Sequence, residues 1–243
     1  MRTILIFILF GLIGCASTAP LSIPVPASSP AAAPTPADLS QNIFPLALNN
    51  MWVYQVTRYD GFNPRDILTA TLVMTETVTE IKTDTNFFAA KIRHEESADV
   101  PIYVPPNMQN MLQPGSASEY WLIAQGNRIY REEETPDLAR MTDRDSLEFV
   151  FPLAANEQWV WLPARLPTDS NPDGVMRDVL KVGTVQVPAG RFDNCYQIQD
   201  GWVTNTVINW FCPGVGWVER KGDHNGTPVG MHAVLVKFMI ESR

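Results

Sequence analysis

The stretch Leu68-Thr69-Ala70-Thr71-Leu72-Val73-Met74-Thr75-Glu76-Thr77 decides the fold class of this chain. Leu68, Ala70, Leu72 and Met74 fall on one face and Thr69, Thr71, Thr75 and Thr77 on the other, the period of two that marks a half-buried strand. The run extends from Ile67 to Ile81, and similar runs lie on either side of it. Upstream, the aromatic and β-branched segment Trp52 to Tyr59 ends at Asp60-Gly61. Downstream, Asn86 to Glu95 follows a polar turn, and Glu119 to Gln125 and Arg128 to Glu132 flank Gly126-Asn127, a two-residue hairpin signal. Further runs are Trp159 to Leu162, Met176 to Val187, Phe192 to Gln199, Trp202 to Phe211, Val215 to Lys221 and Met231 to Glu241. The expected fold is mainly β (a β-rich α+β at most): a curved antiparallel sheet or half-barrel of about ten strands with little helix. Thr135 to Glu148 reads equally as a surface helix or a charged loop. Segment 101–118, broken by four prolines around Met108, Met111 and Leu112, reads as a long loop.

With 243 residues, 45% hydrophobic and 18% charged, the chain can bury a core without metal or disulfide staples. Twenty prolines and 14 glycines speak against an all-helical bundle. A net charge of −8 excludes nucleic acid as a natural partner, because phosphate backbones would be repelled.

The N-terminus has its own signature. Arg2 precedes the apolar run Ile4 to Ile13, too short to span a bilayer but of the length of an export signal. Leu12-Ile13-Gly14-Cys15 then resembles the lipobox of bacterial lipoproteins, in which the cysteine is acylated and becomes the mature N-terminus. Residues 1–14 are therefore expected to be a signal peptide and Cys15 the lipidation site. Residues 15–40 carry prolines at 20, 24, 26, 30, 34 and 36 among alanines and serines, a tether able to reach on the order of 70 Å if extended as polyproline II. Residue 41 onward is the β domain. Ala16 is not the aspartate associated with inner-membrane retention, so the expected location is the outer membrane or cell surface of the envelope.

The domain contains an internal echo. Phe44-Pro45-Leu46-Ala47, Asn49 and Trp52-Val53 recur as Phe151-Pro152-Leu153-Ala154, Asn156 and Trp159-Val160 at the same spacing. More loosely, Arg65-Asp66-Ile67-Leu68 matches Arg177-Asp178-Val179-Leu180. Two equivalent sub-units near 44–100 and 151–243 would explain this; coincidence among common strand-starting residues is the alternative. Val187-Pro188-Ala189-Gly190-Arg191-Phe192 and Pro213-Gly214-Val215-Gly216-Trp217-Val218 add a second pattern. Together with the Phe-Pro-Leu lead-in, these motifs resemble those of poorly characterised bacterial lipoproteins, more distantly similar to the LolA/LolB-like half-barrel carriers. In that pattern a glycine stands three residues before the tryptophan; here Asn49 and Asn156 take its place. The resemblance implies a curved sheet that cups an apolar ligand. On their own, both motifs read as turns, and they point to no chemistry.

Nucleophilic catalysis needs a nucleophile, a base and an orienting group. The chain offers three histidines and no Gly-x-Ser-x-Gly elbow. His94, at a polar strand end, is expected to be solvated, and His232 to be a core-edge residue. Asp223, His224 and His232 are too scattered to suggest a metal site. Glu132 to Glu134 with Asp137, Asp143, Asp145 and Glu148 lacks a calcium-loop pattern and reads as a solvated face. No catalytic residue, metal or cofactor is expected, and the protein is expected not to be an enzyme. Trp52, Trp159, Trp202 and Trp210 read as core, whereas Trp121 and Trp161 are the candidates for a ligand cleft. Cys195 and Cys212 remain for an oxidising compartment, where a bridge is favoured. Pairing them requires a wide loop centred near Val203-Thr204; the alternative is two buried thiols. The expected function is an envelope-anchored binding module for a hydrophobic or amphipathic ligand. The alternative is a structural or accessory envelope protein that contacts another protein.

Overall fold

Alternating patterns resolve into twelve strands: β1 (Met51–Asp60), β2 (Leu68–Thr83), β3 (Phe87–Ser97), β4 (Ser118–Gln125), β5 (Arg128–Glu132), β6 (Ser146–Val150), β7 (Gln158–Leu162), β8 (Val175–Val187), β9 (Gly190–Asp200), β10 (Asn205–Cys212), β11 (Gly216–His224) and β12 (Gly230–Met239). The computed structural model describes residues 43–61, 65–98, 112–134, 146–163, 174–202 and 204–241. The expected signal peptide, Cys15 and the expected tether lie outside these residues, as do 101–111 of the proline-broken segment and 135–145 of the acidic one. Ser146–Val150 corrects the helix-or-loop reading through Glu148, for its last residues pair as a strand with β5.

All twelve strands form one antiparallel sheet in the order β6-β5-β4-β3-β2-β1-β12-β11-β10-β9-β8-β7. Each half of the chain is a six-strand meander, and the halves join where β1 pairs with β12 from Met51↔Met239 to Tyr59↔Gly230. The sheet curls into a nearly closed barrel, bringing its edge strands β6 and β7 together. Across that seam the Trp159 indole donates to the Leu147 carbonyl at 2.9 Å, and Arg177 Nη1 donates to the Glu148 carbonyl at 2.8 Å.

Strand alternation fills the inside. Trp52, Tyr54 and Val56 of β1 and Leu72, Met74 and Val78 of β2 are buried. One region of the interior is an aromatic cluster of Phe44, Phe149, Phe151, Phe211 and Trp217, with Phe149 and Phe211 centroids 4.5 Å apart. Each such pair adds about 0.5–1.5 kcal/mol beyond area burial. The Pro213-Gly214-Val215-Gly216 motif docks on this cluster: the Gly214 amide donates to the Ile43 carbonyl, and the Trp52 indole donates to the Val215 carbonyl at 2.6 Å. Gly216 has φ +104, and the Phe44 ring lies 3.4 Å from where a Cβ would stand. A side chain there would be strained in its backbone and pressed against the ring.

The two lead-in segments have matching turns. Asn49 and Asn156 both have φ 66°, a left-handed conformation that asparagine tolerates better than most residues. The Asn49 amide donates to Val78 and the Val78 amide to Asn50; the Asn156 amide donates to Val179 and the Val179 amide to Glu157. Val78 therefore stands where Val179 does, which corrects the looser sequence match of Ile67 with Val179. In this register Glu76, paired with Trp52, is the counterpart of Arg177, paired with Trp159. The segments also dock crosswise. Phe44 sits on the β10–β11 turn of the second half, while Phe151 exchanges hydrogen bonds with Asn127 in the β4–β5 turn of the first.

A polar cup as candidate functional site

Next to the aromatic cluster, the inward parity of several strands delivers charge. Glu76 of β2 continues the inward series of Leu72 and Met74, and Arg177 of β8 sits between buried Val175 and Val179. Arg177 lines a cavity of about 430 Å3 open to solvent, and Glu76 lies behind its wall, bound to Arg220. Its wall carries Arg58, His94, Glu96, Arg131, Glu148, Arg177, Asp200 and Arg220 beside Met74, Trp161, Val207, Trp217 and Met231. Trp217 belongs both to this wall and to the aromatic cluster.

Two charge networks organise the cup. In the first, Glu76 Oε1 accepts from Arg220 Nη1 at 3.1 Å and from the Tyr120 hydroxyl at 3.2 Å, with His94 Nδ1 3.6 Å away. His94 Nε2 lies 3.4 Å from Glu96, which also accepts from Arg58 at 2.6 Å and from the Gly115 amide at 2.7 Å. Burial alone would raise the Glu76 carboxyl, yet Arg220 and His94 hold it down at about 2. Glu96 is likewise held at about 2, chiefly by His94, with the Gly115 amide and Arg58 assisting. The two neighbouring carboxylates, Glu76 first and then Glu96, lift His94 to about 9. The expected solvated histidine is thus a half-buried bridge between two carboxylates, charged at neutral pH.

In the second network Arg177 donates from Nε to Asp200 at 2.7 Å and from Nη2 to its other oxygen at 3.3 Å, while Nη1 lies 3.3 Å from Glu148 Oε1. Its guanidinium stacks 4.4 Å from the Trp161 ring, and the Trp161 indole donates to Glu148 Oε2 at 3.2 Å. Burial pushes Glu148 up, but Arg177, Arg131 and Arg220 outweigh it and its carboxyl lies below the usual range. Glu148, expected on a solvated face, is 6% exposed and forms part of the seam.

The sequence-predicted residues separate in space. Trp161 lines the cavity and meets Trp202 edge to face at 5.8 Å. Trp121 does not line it: Tyr120 and Leu122 of β4 take the inward parity and join the main core. Trp121 packs in a separate cluster with Ala89 and Ile123, with the ammonium groups of Lys82 and Lys91 4.5 and 5.2 Å from its ring. Trp52 and Trp159 are buried, while Trp202 and Trp210 are only partly so. Cys195 and Cys212 form a disulfide with a Cα separation of 4.3 Å, in the wide-loop register the bridge required, where Val207 opposes Asp200. His224 contacts Thr227, His232 contacts Glu219, and Asp223 accepts from the Tyr59 hydroxyl. Among the described residues no three His, Cys, Asp or Glu side chains are grouped to hold a metal. Arg131, Arg177 and Arg220 do not stand out in the sequence as site residues, and Glu148 reads there as solvated. The available signal was a lone charge at the apolar parity of a strand.

No family model matches the chain, and no curated protein does. Two crystal structures are similar in fold. One, from Bacteroides fragilis and described as an exported protein with a YmcC-like fold, is 11% identical, covers 82% of this chain and 99% of its own, and has a TM-score of 0.48. The other, from Parabacteroides distasonis and described as a lipoprotein, is 16% identical with the same coverage and TM-score.

Proposed function

We propose that this protein is an envelope-anchored lipoprotein whose barrel is a binding module for an amphipathic ligand. The observation that carries the reading is the cavity of about 430 Å3, in which charged side chains share one wall with Trp161, Trp217, Met74 and Met231. A site built to bind has this mixture of apolar surface and a few fixed polar groups. Its volume is near the lower end of ligand pockets, so it suits a single chain or ring better than a multiply acylated lipid. Arginine and histidine hold Glu76, Glu96 and Glu148 ionised, whereas burial raises Asp200 against the pull of Arg177.

Anchoring rests on Arg2, the apolar run and Leu12-Ile13-Gly14-Cys15, and the outer membrane or cell surface is the proposed location. A Cys15→Ser variant should leave the membrane fraction or stay unprocessed; unchanged attachment overturns the anchor. Native mass spectrometry of protein purified from its own host tests the binding role. A co-purified small amphiphile is expected. A retained partner protein without one would instead favour an accessory envelope role.

A further inference from the structure

We infer that the cup recognises the anionic head group, a carboxylate or phosphate, of its ligand, through Arg131 and Arg220. This rests on the binding-module reading and names the ligand's chemistry. The chain as a whole is acidic, yet five of its 18 basic residues line the cavity against three of its 26 acidic ones. A cationic concavity in a low-dielectric wall concentrates field that the outer surface opposes.

The arginines differ in how their donors are spent. Arg177 commits all three of its nitrogens to Asp200 and Glu148, so it is a clamp. Arg58 is held by Glu96 and the Gln113 carbonyl. Arg220 gives one hydrogen bond, from Nη1 to Glu76, and shares that carboxylate with His94. Among the described residues its Nε and Nη2 have no protein acceptor, and 21% of its side-chain surface remains accessible. Arg131 stacks its guanidinium 4.0 Å from the Tyr120 ring and, among the described residues, donates from Nε and Nη2 to Glu133 alone, a rim carboxylate that is 68% exposed.

Within the cup, then, Arg58, His94, Arg131, Arg177 and Arg220 face four buried or half-buried carboxylates, Glu76, Glu96, Glu148 and Asp200. Arg220 presents its Nε–Nη2 edge, which can grip a carboxylate or phosphate bidentately as an ammonium cannot, and Arg131 adds its Nη1 donors, with its other edge held only by the exposed Glu133. Trp161 and Met231 on the same wall would take the apolar remainder of the ligand.

The test is equilibrium dialysis of the mature protein in nanodiscs, blanked against protein-free nanodiscs. The probes are hexyl phosphate, hexyl glucoside, hexyltrimethylammonium and inorganic phosphate. Hexyl phosphate should bind at least tenfold more tightly than the neutral, cationic and chain-free probes. Arg131→Gln should weaken it about tenfold without changing the melting temperature by more than a few degrees. Arg220→Gln leaves Glu76 buried beside one cation fewer and is expected to melt early, so Arg131→Gln carries the decision. Equal binding of hexyl glucoside and hexyl phosphate, or an Arg131→Gln variant that binds as the parent does, overturns the anionic head group and leaves the binding module standing. Inorganic phosphate binding as tightly as hexyl phosphate keeps the anion site and overturns the amphipathic ligand. Binding of no probe overturns the inference.

Discussion

The sheet meets itself at two places, and the matched register of the two halves makes them counterparts: β1 against β12, and β7 against β6. At the first, a ladder runs the length of both strands. At the second, two short edge strands are joined by the Trp159 indole, the Arg177 guanidinium and the buried Glu148. Backbone pairing needs only that two strands run long enough side by side. A side-chain seam depends on particular residues, and two of these, Arg177 and Glu148, also line the cup. The barrel is therefore weakest where its candidate site is richest.

Arg177→Met should be the most damaging change at the seam, because it strands Glu148 and Asp200 without their cation. Losing one partner of a buried charge cluster costs about 3–5 kcal/mol. Chemical denaturation should show that loss, and amide exchange should rise first in β6 and β7 while β1 and β12 stay protected. Uniform exchange across both junctions would erase the distinction.

The disulfide sharpens the comparison from another side. Following the register outward from Val78 and Val179, Cys195 and Cys212 occupy the places of Ala89 and Ile123, which pack with Trp121 in the first half. The second half thus has a covalent tie where the first has an apolar cluster. Replacing both cysteines by alanine should cost about 3 kcal/mol for a loop of this size, read as a lower denaturation midpoint.

Trp159→Phe and Trp52→Phe form a matched pair. Each removes an indole hydrogen bond to a carbonyl, worth about 1 kcal/mol. Only Trp159→Phe should speed exchange in β6, since β1 keeps its ladders on both sides. Equal exchange at the two junctions would mean that the seam bond carries no special weight.

The smallest effect is pH-dependent and belongs to the first half. His94 is lifted from 6.5 to about 9 in the fold. Its contribution is fully present below about pH 6.5 and lost as pH rises through about 9. Partial exposure makes it a modest fraction of the full linkage value. Stability of the parent should decline over that window, and His94→Gln should flatten the decline. Glu76 and Glu96 act at the other end, with contributions lost as pH falls from about 4.5 toward 2.

Much of this architecture could be read from the chain. Alternation in Leu68 to Thr77 marks a strand whatever surrounds it, and the disulfide register follows from counting back from Cys212 to Cys195. Alternation does not, however, say which parity faces inward. Trp121 and Trp161 looked alike in sequence, yet Trp121 packs outside the cup while Trp161 lines it. β6 was missed because Glu148 reads as surface when its partner, Arg177, lies on a strand that only barrel closure brings near. The cup as a whole was illegible for the same reason. Its charges come from most of the strands of both halves and gain meaning only as partners.

The crosswise docking of Phe44 and Phe151, together with the β1–β12 ladder, bears on the order in which the chain can mature. The first strand of the domain finds its second neighbour only in the last, so an N-terminal half emerging from an export channel must present an open edge until the C-terminus arrives. Long-range strand pairing of this kind is slow, and such an edge invites aggregation. If the chain is exported as proposed, its passage should depend on protection in transit, and a truncation before β12 should yield a misassembled product in place of a smaller working barrel.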